Sequence, residues 1–259
     1  MVKKTHFFKE IGRIRGFFLV VMCLMGTALP IWDIWQLSRE WPNIVQTFDG
    51  LGSRVAGVVT SRMGYPVHRG IYATYFWVGE DANKDNKQIS NSPSAWDDAW
   101  LKHFGGVDDP KRRNGYFPAG FTPKENPFYV ALPYNDFTGT GNRRSKASAV
   151  VPWAKTKAWK SNESMLKNRW VKITRGNKTV YAQWEDVGPF GENDAAYVFG
   201  SAKPKSKTNK SAGIDLSPAA HDYLGLGDLD MVDWQFVDDK NVPNGPWRRI
   251  VTTSQVYWQ

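Results

Sequence analysis

Cysteine is nearly absent from this chain. Of 259 residues one is cysteine, Cys23, and it lies inside an apolar N-terminal run. No intrachain disulfide can form, and no cysteine-based metal site exists. Val21-Met22 precede Cys23, where a lipoprotein signal needs small residues, so lipidation is not expected. His68, His103 and His221 lack the paired spacing of metal ligands, which predicts packed or solvated roles for them. The sequence carries no nucleophile triad, no phosphate-cradling glycine loop and no nucleic-acid motif. Repeats and coiled-coil heptads are also missing. No cofactor, metal or nucleic-acid partner is expected.

Aromatic residues, by contrast, are abundant. They make up 14% of the chain and include 13 Trp. Indole rings serve as core filler and membrane-interface anchors, and also as platforms for the C–H faces of sugar rings. The hydrophobic share of 41% and charged share of 23% suit a folded chain of one elaborated domain or two small ones. The formal charge is +9. Residues 1–32 hold Lys3, Lys4, Lys9, Arg13 and Arg15 against Glu10, which is +4 and leaves +5 for the remainder. That balance favours an anionic polymer or an acidic surface.

The N-terminus reads as an export segment. Residues 1–15 are basic, and residues 16–32 carry no charge. That run is short for a membrane span and long for a signal core, so cleaved signal peptide and uncleaved hydrophobic helix both stand. Basic residues ahead of it predict a cytoplasmic N-terminus with the rest exported: secreted, periplasmic or membrane-anchored. Residues 33–69 read as a juxtamembrane linker.

The folded domain is expected over 70–259, mostly β, with a partly helical insertion over about 80–165. A first strand is read at 70–78, and a helix opening at Ser92-Pro93 and ending at Gly105-Gly106. Another strand is read at 128–132. Trp170–Thr174 and Thr179–Trp184, joined by Arg175-Gly176-Asn177-Lys178, give a hairpin signal. Residues 191–213 form a long polar loop. Ser217-Pro218 to Gly225 reads as a capped short helix, and Met231–Val237 as a strand. Two β-rich segments are expected in the tail.

Three segments carry the chemistry. They are Ala73-Thr74-Tyr75-Phe76, Glu185-Asp186-Val187-Gly188-Pro189-Phe190, and Gly213-Ile214-Asp215-Leu216-Ser217-Pro218-Ala219-Ala220. In this order they resemble the double-psi β-barrel proteins of the rare lipoprotein A and expansin-like superfamily. The resemblance covers residues 166–237 and 70–78. It implies a six-stranded barrel in which Asp186 and Asp215 share a groove with Thr74 beside them. In the related endoglucanases the aspartate matching Asp215 is the general acid. In the lytic transglycosylases the one matching Asp186 is favoured. The sequence departs from the pattern in three places: Val187 stands for the usual Arg, Glu185 for the usual Asn, and Gly188 where bacterial expansins carry Tyr. The base carboxylate of the endoglucanases belongs just after the first strand, where Val78 or Gly79 falls, with Glu80 and Asp81 a little later.

The expectation is an exported protein acting on cell-wall polysaccharide, either peptidoglycan or a cellulose-like glycan. Asp186 and Asp215 are the candidate catalytic carboxylates. Thr74, Tyr75, Trp77 and Trp184 are the candidate substrate-binding residues. An Asp before a Gly-Pro turn or before a helix also commonly serves backbone hydrogen bonds. If the protein is an enzyme, it is a lytic transglycosylase or a glycoside hydrolase. The rivals are expansin-like loosening without cleavage, and a membrane-anchored interaction or structural domain. Membrane contact would be through the N-terminal segment.

Overall fold

Alternating apolar residues define the strands, and the strands close on themselves. The computed structural model describes residues 64–82 and 90–255. The strands are β1 (His68–Tyr75), β2 (Arg113–Asn114), β3 (Phe117–Pro118), β4 (Tyr129–Leu132), β5 (Arg169–Arg175), β6 (Lys178–Val187), β7 (Ile214–Leu216) and β8 (Asp230–Phe236). Six of them form a closed barrel in the order β1-β7-β4-β6-β5-β8, while β2 and β3 make a separate two-stranded ribbon. The pairs β1/β7 and β4/β6 are parallel. The pairs β1/β8, β4/β7, β5/β6 and β5/β8 are antiparallel.

Side chains alternate across each strand. Val130, Leu132, Val171, Ile173, Ile214, Leu216 and Trp234 belong to the main core. Tyr129 and Ala131, on the other face of β4, join a second cluster with Phe76, Val78, Trp100 and Phe104. Trp100 and Phe104 of the insertion therefore pack on the outer face of the strands that carry the candidate residues, while its Trp96, Val151 and Trp153 join the main core.

Local chemistry explains the hairpin and the last helix. Arg175 pairs with Lys178, leaving Gly176-Asn177 as the turn, and Gly176 takes a φ of 57°. Positive φ at a hairpin turn suits glycine. Four short helices occur among the described residues: α1 (Trp100–Phe104), α2 (Ala147–Val150), α3 (Ala195–Val198) and α4 (Pro218–Leu224). In α4 the Ser217 hydroxyl accepts the Ala220 N–H, Pro218 fills the first turn, and Gly225 ends it at φ 69°.

Two expectations are corrected. The helix expected from Ser92-Pro93 begins only at Trp100. Asp97 is fully buried and its carboxylate accepts the Ala99 N–H and binds the His103 ring at 2.7 Å. Ser94 likewise takes the Trp96 N–H. Side chains here hold the backbone in turns where a helix would otherwise start. The tail also lacks strands among its described residues, and forms 3-10 turns at Asp239–Asn241 and Pro246–Arg248. Its backbone is tied down by a side chain: Gln183 accepts the Thr252 N–H at 2.8 Å and donates to the Thr252 carbonyl at 2.9 Å.

The hydrophobic N-terminal helix and the juxtamembrane linker fall in residues 1–63, outside the described residues. Among the described residues no helix is long and apolar enough to cross a membrane.

Candidate functional site

Register places the candidate residues in one row. Thr74 of β1 is opposite Asp215 of β7. Asp215 is opposite Ala131 of β4, and Ala131 is opposite Asp186 of β6. Thr74, Asp215, Ala131 and Asp186 thus lie side by side across four adjacent strands. The two aspartates are two strand spacings apart, about 10 Å between Cα atoms. Only the alanine methyl stands between them.

A β-bulge in β6 makes this alignment possible. Val130 pairs with Trp184 and Ala131 with Asp186, so Glu185 is the extra residue. Without the bulge, Asp186 would follow the alternation of Trp184 and point into the core. Glu185 instead points to Lys167, whose ammonium lies 2.6 Å from its carboxylate, both side chains being 1% exposed. Lys167 also reaches Ser254, and Ser254 donates to Glu125. The second oxygen of Glu185 has no hydrogen-bond partner among the described residues. Burial, opposed by Lys167, lifts the Glu185 pKa to about 7.

Both aspartates are half-buried. Burial raises Asp186 to about 6, opposed by backbone N–H groups of Ala95 and Val187. The Ala95 N–H, from the insertion, is 2.7 Å from its Oδ1. Burial raises Asp215 to about 7, opposed by the Thr74 hydroxyl and reinforced by the charges of Asp186 and Glu80. Thr74 donates a hydrogen bond to Asp215 Oδ1. Its hydroxyl is thereby engaged in orienting a carboxyl group.

The remaining candidates separate from the row. Tyr75 and Thr74, as neighbours on a strand, face opposite ways. The Tyr75 ring lies 4.6 Å from that of His221 and 5.5 Å from that of Trp77, and burial raises its hydroxyl to about 12. Tyr75 and Trp77 are half-buried and form a second aromatic surface. Trp184 is corrected: it is 0% exposed, packed edge-on against Trp96, and its indole N–H donates to the Asp186 carbonyl at 2.7 Å. It has no open face for a sugar.

Sequence reasoning named Glu80 and Gly188 without giving either a role, and passed over the pairing of Lys167 with Glu185. Glu80 is buried, holds a hydrogen bond from the Asn91 side chain at 2.8 Å, and is a third carboxylate felt by Asp215. Its offset from the expected base position left it without a role in the sequence, and the turn after β1 brings it back. Gly188 permits a close approach: a Cβ there would lie 3.1 Å from Asp215 Oδ2, so the carboxyl group packs directly against the glycine backbone. The Lys167–Glu185 pair had no readable signal, since 18 residues separate the partners. Among the described residues no group of three or more His, Cys, Asp or Glu is placed to hold a metal ion.

Chemically, this is a row of two carboxyl groups whose proton affinities are raised into the range near neutrality. One can be neutral while the other is ionised, which is the arrangement needed to give and take a proton.

Fold and site together define a mostly β protein: a six-stranded closed barrel with a carboxylate pair on its outer wall. No protein-family model matches the chain. No curated protein matches it either. Among solved structures it is similar to the Streptomyces papain inhibitor, at 14% identity and a TM-score of 0.28, over 67% of this chain and 96% of that one.

Proposed function

We propose that this protein is an exported, double-psi barrel relative of the rare lipoprotein A and expansin-like proteins, and that it cleaves glycosidic bonds in cell-wall polysaccharide. The observation that carries the reading is the row of Thr74, Asp215, Ala131 and Asp186 across four strands. Asp215, the carboxyl with the higher proton affinity, donates a proton to the leaving glycosidic oxygen as the C1–O bond breaks. Asp186 ionises at lower pH and stabilises the positive charge that develops on the sugar ring. In the transglycosylase route a hydroxyl of the same sugar then attacks C1, and its proton returns to Asp215. In the hydrolytic route water attacks, and Glu80 is the nearby carboxylate to assist it. Export rests on the basic residues 1–15 and the uncharged run 16–32.

A second reading, loosening by binding without cleavage, draws support from the Ala95 N–H on Asp186, which occupies one oxygen of that carboxylate. One assay separates the two. The full chain is incubated with peptidoglycan and with cellulose, and soluble products are analysed. Anhydro-sugars or new reducing ends are expected, and Asp186→Asn should abolish their release while the circular dichroism of the domain is unchanged. Binding to the polymer without any release would favour the second reading. Wild-type release by a folded Asp186→Asn protein would defeat the site assignment.

A further inference from the structure

Strand β1 carries Thr74 at one end of its outer face and a group of cations at the other. Thr74 and Tyr72 are two residues apart, so they share that face and stand about 7 Å from each other. Tyr72 pairs with Met231 of β8. The register of β1 shifts between His68 and Ile71, and Arg69 stands out from the strand there with its side chain 75% exposed. Arg69 and Lys172 line a groove of about 180 Å³ with Val67, Thr174, Asp233 and Gln235. Val67 and Met231 are two of the four large hydrophobic side chains exposed among the described residues. Cations and bare apolar groups thus stand together on one face of β1, β8 and β5.

The 191–213 loop adds two more cations to this face. The Lys203 ammonium donates to the Arg69 carbonyl at 3.2 Å. The Lys210 ammonium lies 5.3 Å over the Tyr72 ring. Asn209, Lys210 and Ser211 all take a positive φ, at 46°, 57° and 64°. Such a run is costly for residues other than glycine, and strain that the fold maintains tends to collect at ligand clamps. Here it holds the residue whose ammonium covers Tyr72. The charge of these groups is not cancelled. Among the described residues Lys172, Lys203 and Lys210 form no ion pair. Asp233 is the one carboxylate lining the groove, and it is already engaged by Arg69 at 3.0 Å and by the Gly70 N–H at 2.8 Å.

We infer that this face binds a linear polysaccharide bearing carboxylate groups, so that the glycan acted on at Asp215 is an acidic one. The inference rests on the glycan-acting reading above and names its substrate class. Arg69, Lys172, Lys203 and Lys210 complement a chain that repeats its negative charge. Each exposed ion pair contributes little alone, and several on one chain add up. Met231 and Val67 offer apolar contact to the C–H faces of sugar rings, which a bare chain of phosphates would leave unused. Tyr72 and Thr74 share one face of β1, so a single glycan can lie across both the cations and the carboxylate row.

Calorimetry on the full chain tests it, with oligomers of polygalacturonate as the acidic probe, cello-oligosaccharides as the neutral one and inorganic polyphosphate as a charge control. Lys172→Gln with Lys210→Gln removes two cations from the face. Lys111→Gln with Lys155→Gln removes two exposed cations outside it, for the same change in net charge. The wild type is expected to bind polygalacturonate more tightly than the neutral oligomers, and less tightly as salt screens the charges. The first pair should weaken polygalacturonate binding about tenfold and leave neutral binding unchanged, and the second pair should do neither. Equal losses in the two pairs, or polyphosphate bound as tightly as polygalacturonate, would show that net charge alone is at work and overturn the proposal. So would equal affinity for acidic and neutral oligomers, but release of sugars from cellulose or peptidoglycan would then leave the glycan-acting reading standing. No binding of either oligosaccharide and no release from either polymer defeats both.

Discussion

At Asp215 three influences act in one direction. Burial, the charge of Asp186 and the charge of Glu80 all favour the neutral carboxyl group, and the Thr74 hydroxyl offsets them only in part. The pKa therefore rises from 3.8 to about 7. The folded protein holds a proton that the unfolded chain releases at lower pH. Stability from this group is present in full below the unfolded value and is lost as pH rises through the folded one. Asn at this position cannot ionise. The Asp215→Asn protein should therefore lose less Tm than wild type between about pH 4 and about pH 7. Parallel Tm curves for the two proteins would mean that Asp215 is not held neutral. The motif residues Thr74, Asp186 and Asp215 were legible in the sequence because their neighbours Gly188-Pro189 and Ser217-Pro218 have strong turn and cap signatures. The effect of Glu80 on Asp215 and the burial of Trp184 were not, because both depend on what packs against them.

The bulge in β6 is the element that sets the site. It is pinned by the buried ion pair of Glu185 and Lys167. Removing one partner strands the other charge away from water. Lys167→Met should destabilise the fold by about 3 kcal/mol in urea unfolding. Adding Glu185→Leu should restore much of that, because no lone charge remains. A Lys167→Met protein as stable as wild type would show that the pair does not hold the bulge. Elements whose chemistry is local could be read in advance, such as the Gly176-Asn177 hairpin and the α4 helix with its Ser217 cap. The late start of α1 could not, since it depends on Asp97 being buried against His103. The tail was misread for the same reason: Gln183, 69 residues away, takes the hydrogen bonds a strand would have used.

On the scale of the whole molecule, two parallel pairings in a mostly antiparallel barrel bring strands distant in sequence to the centre of one wall. β1 meets β7 and β4 meets β6, so residues 74, 186 and 215 become neighbours. Sequence order alone cannot supply that closure, and the family resemblance was what anticipated it. The insertion then reaches Asp186 through the Ala95 N–H, and the 191–213 loop lines a cavity with Pro133 and Pro189 at the rim where β4 and β6 end. The account stands on the two aspartates acting as a coupled pair on that wall. Carbon-13 NMR titration of the side-chain carboxyl groups, in wild type and in Asp186→Asn, measures this directly. Asp215 should titrate near 7 in wild type and at lower pH once the neighbouring charge is gone. Titration near its ordinary 3.8 in both proteins would contradict the account.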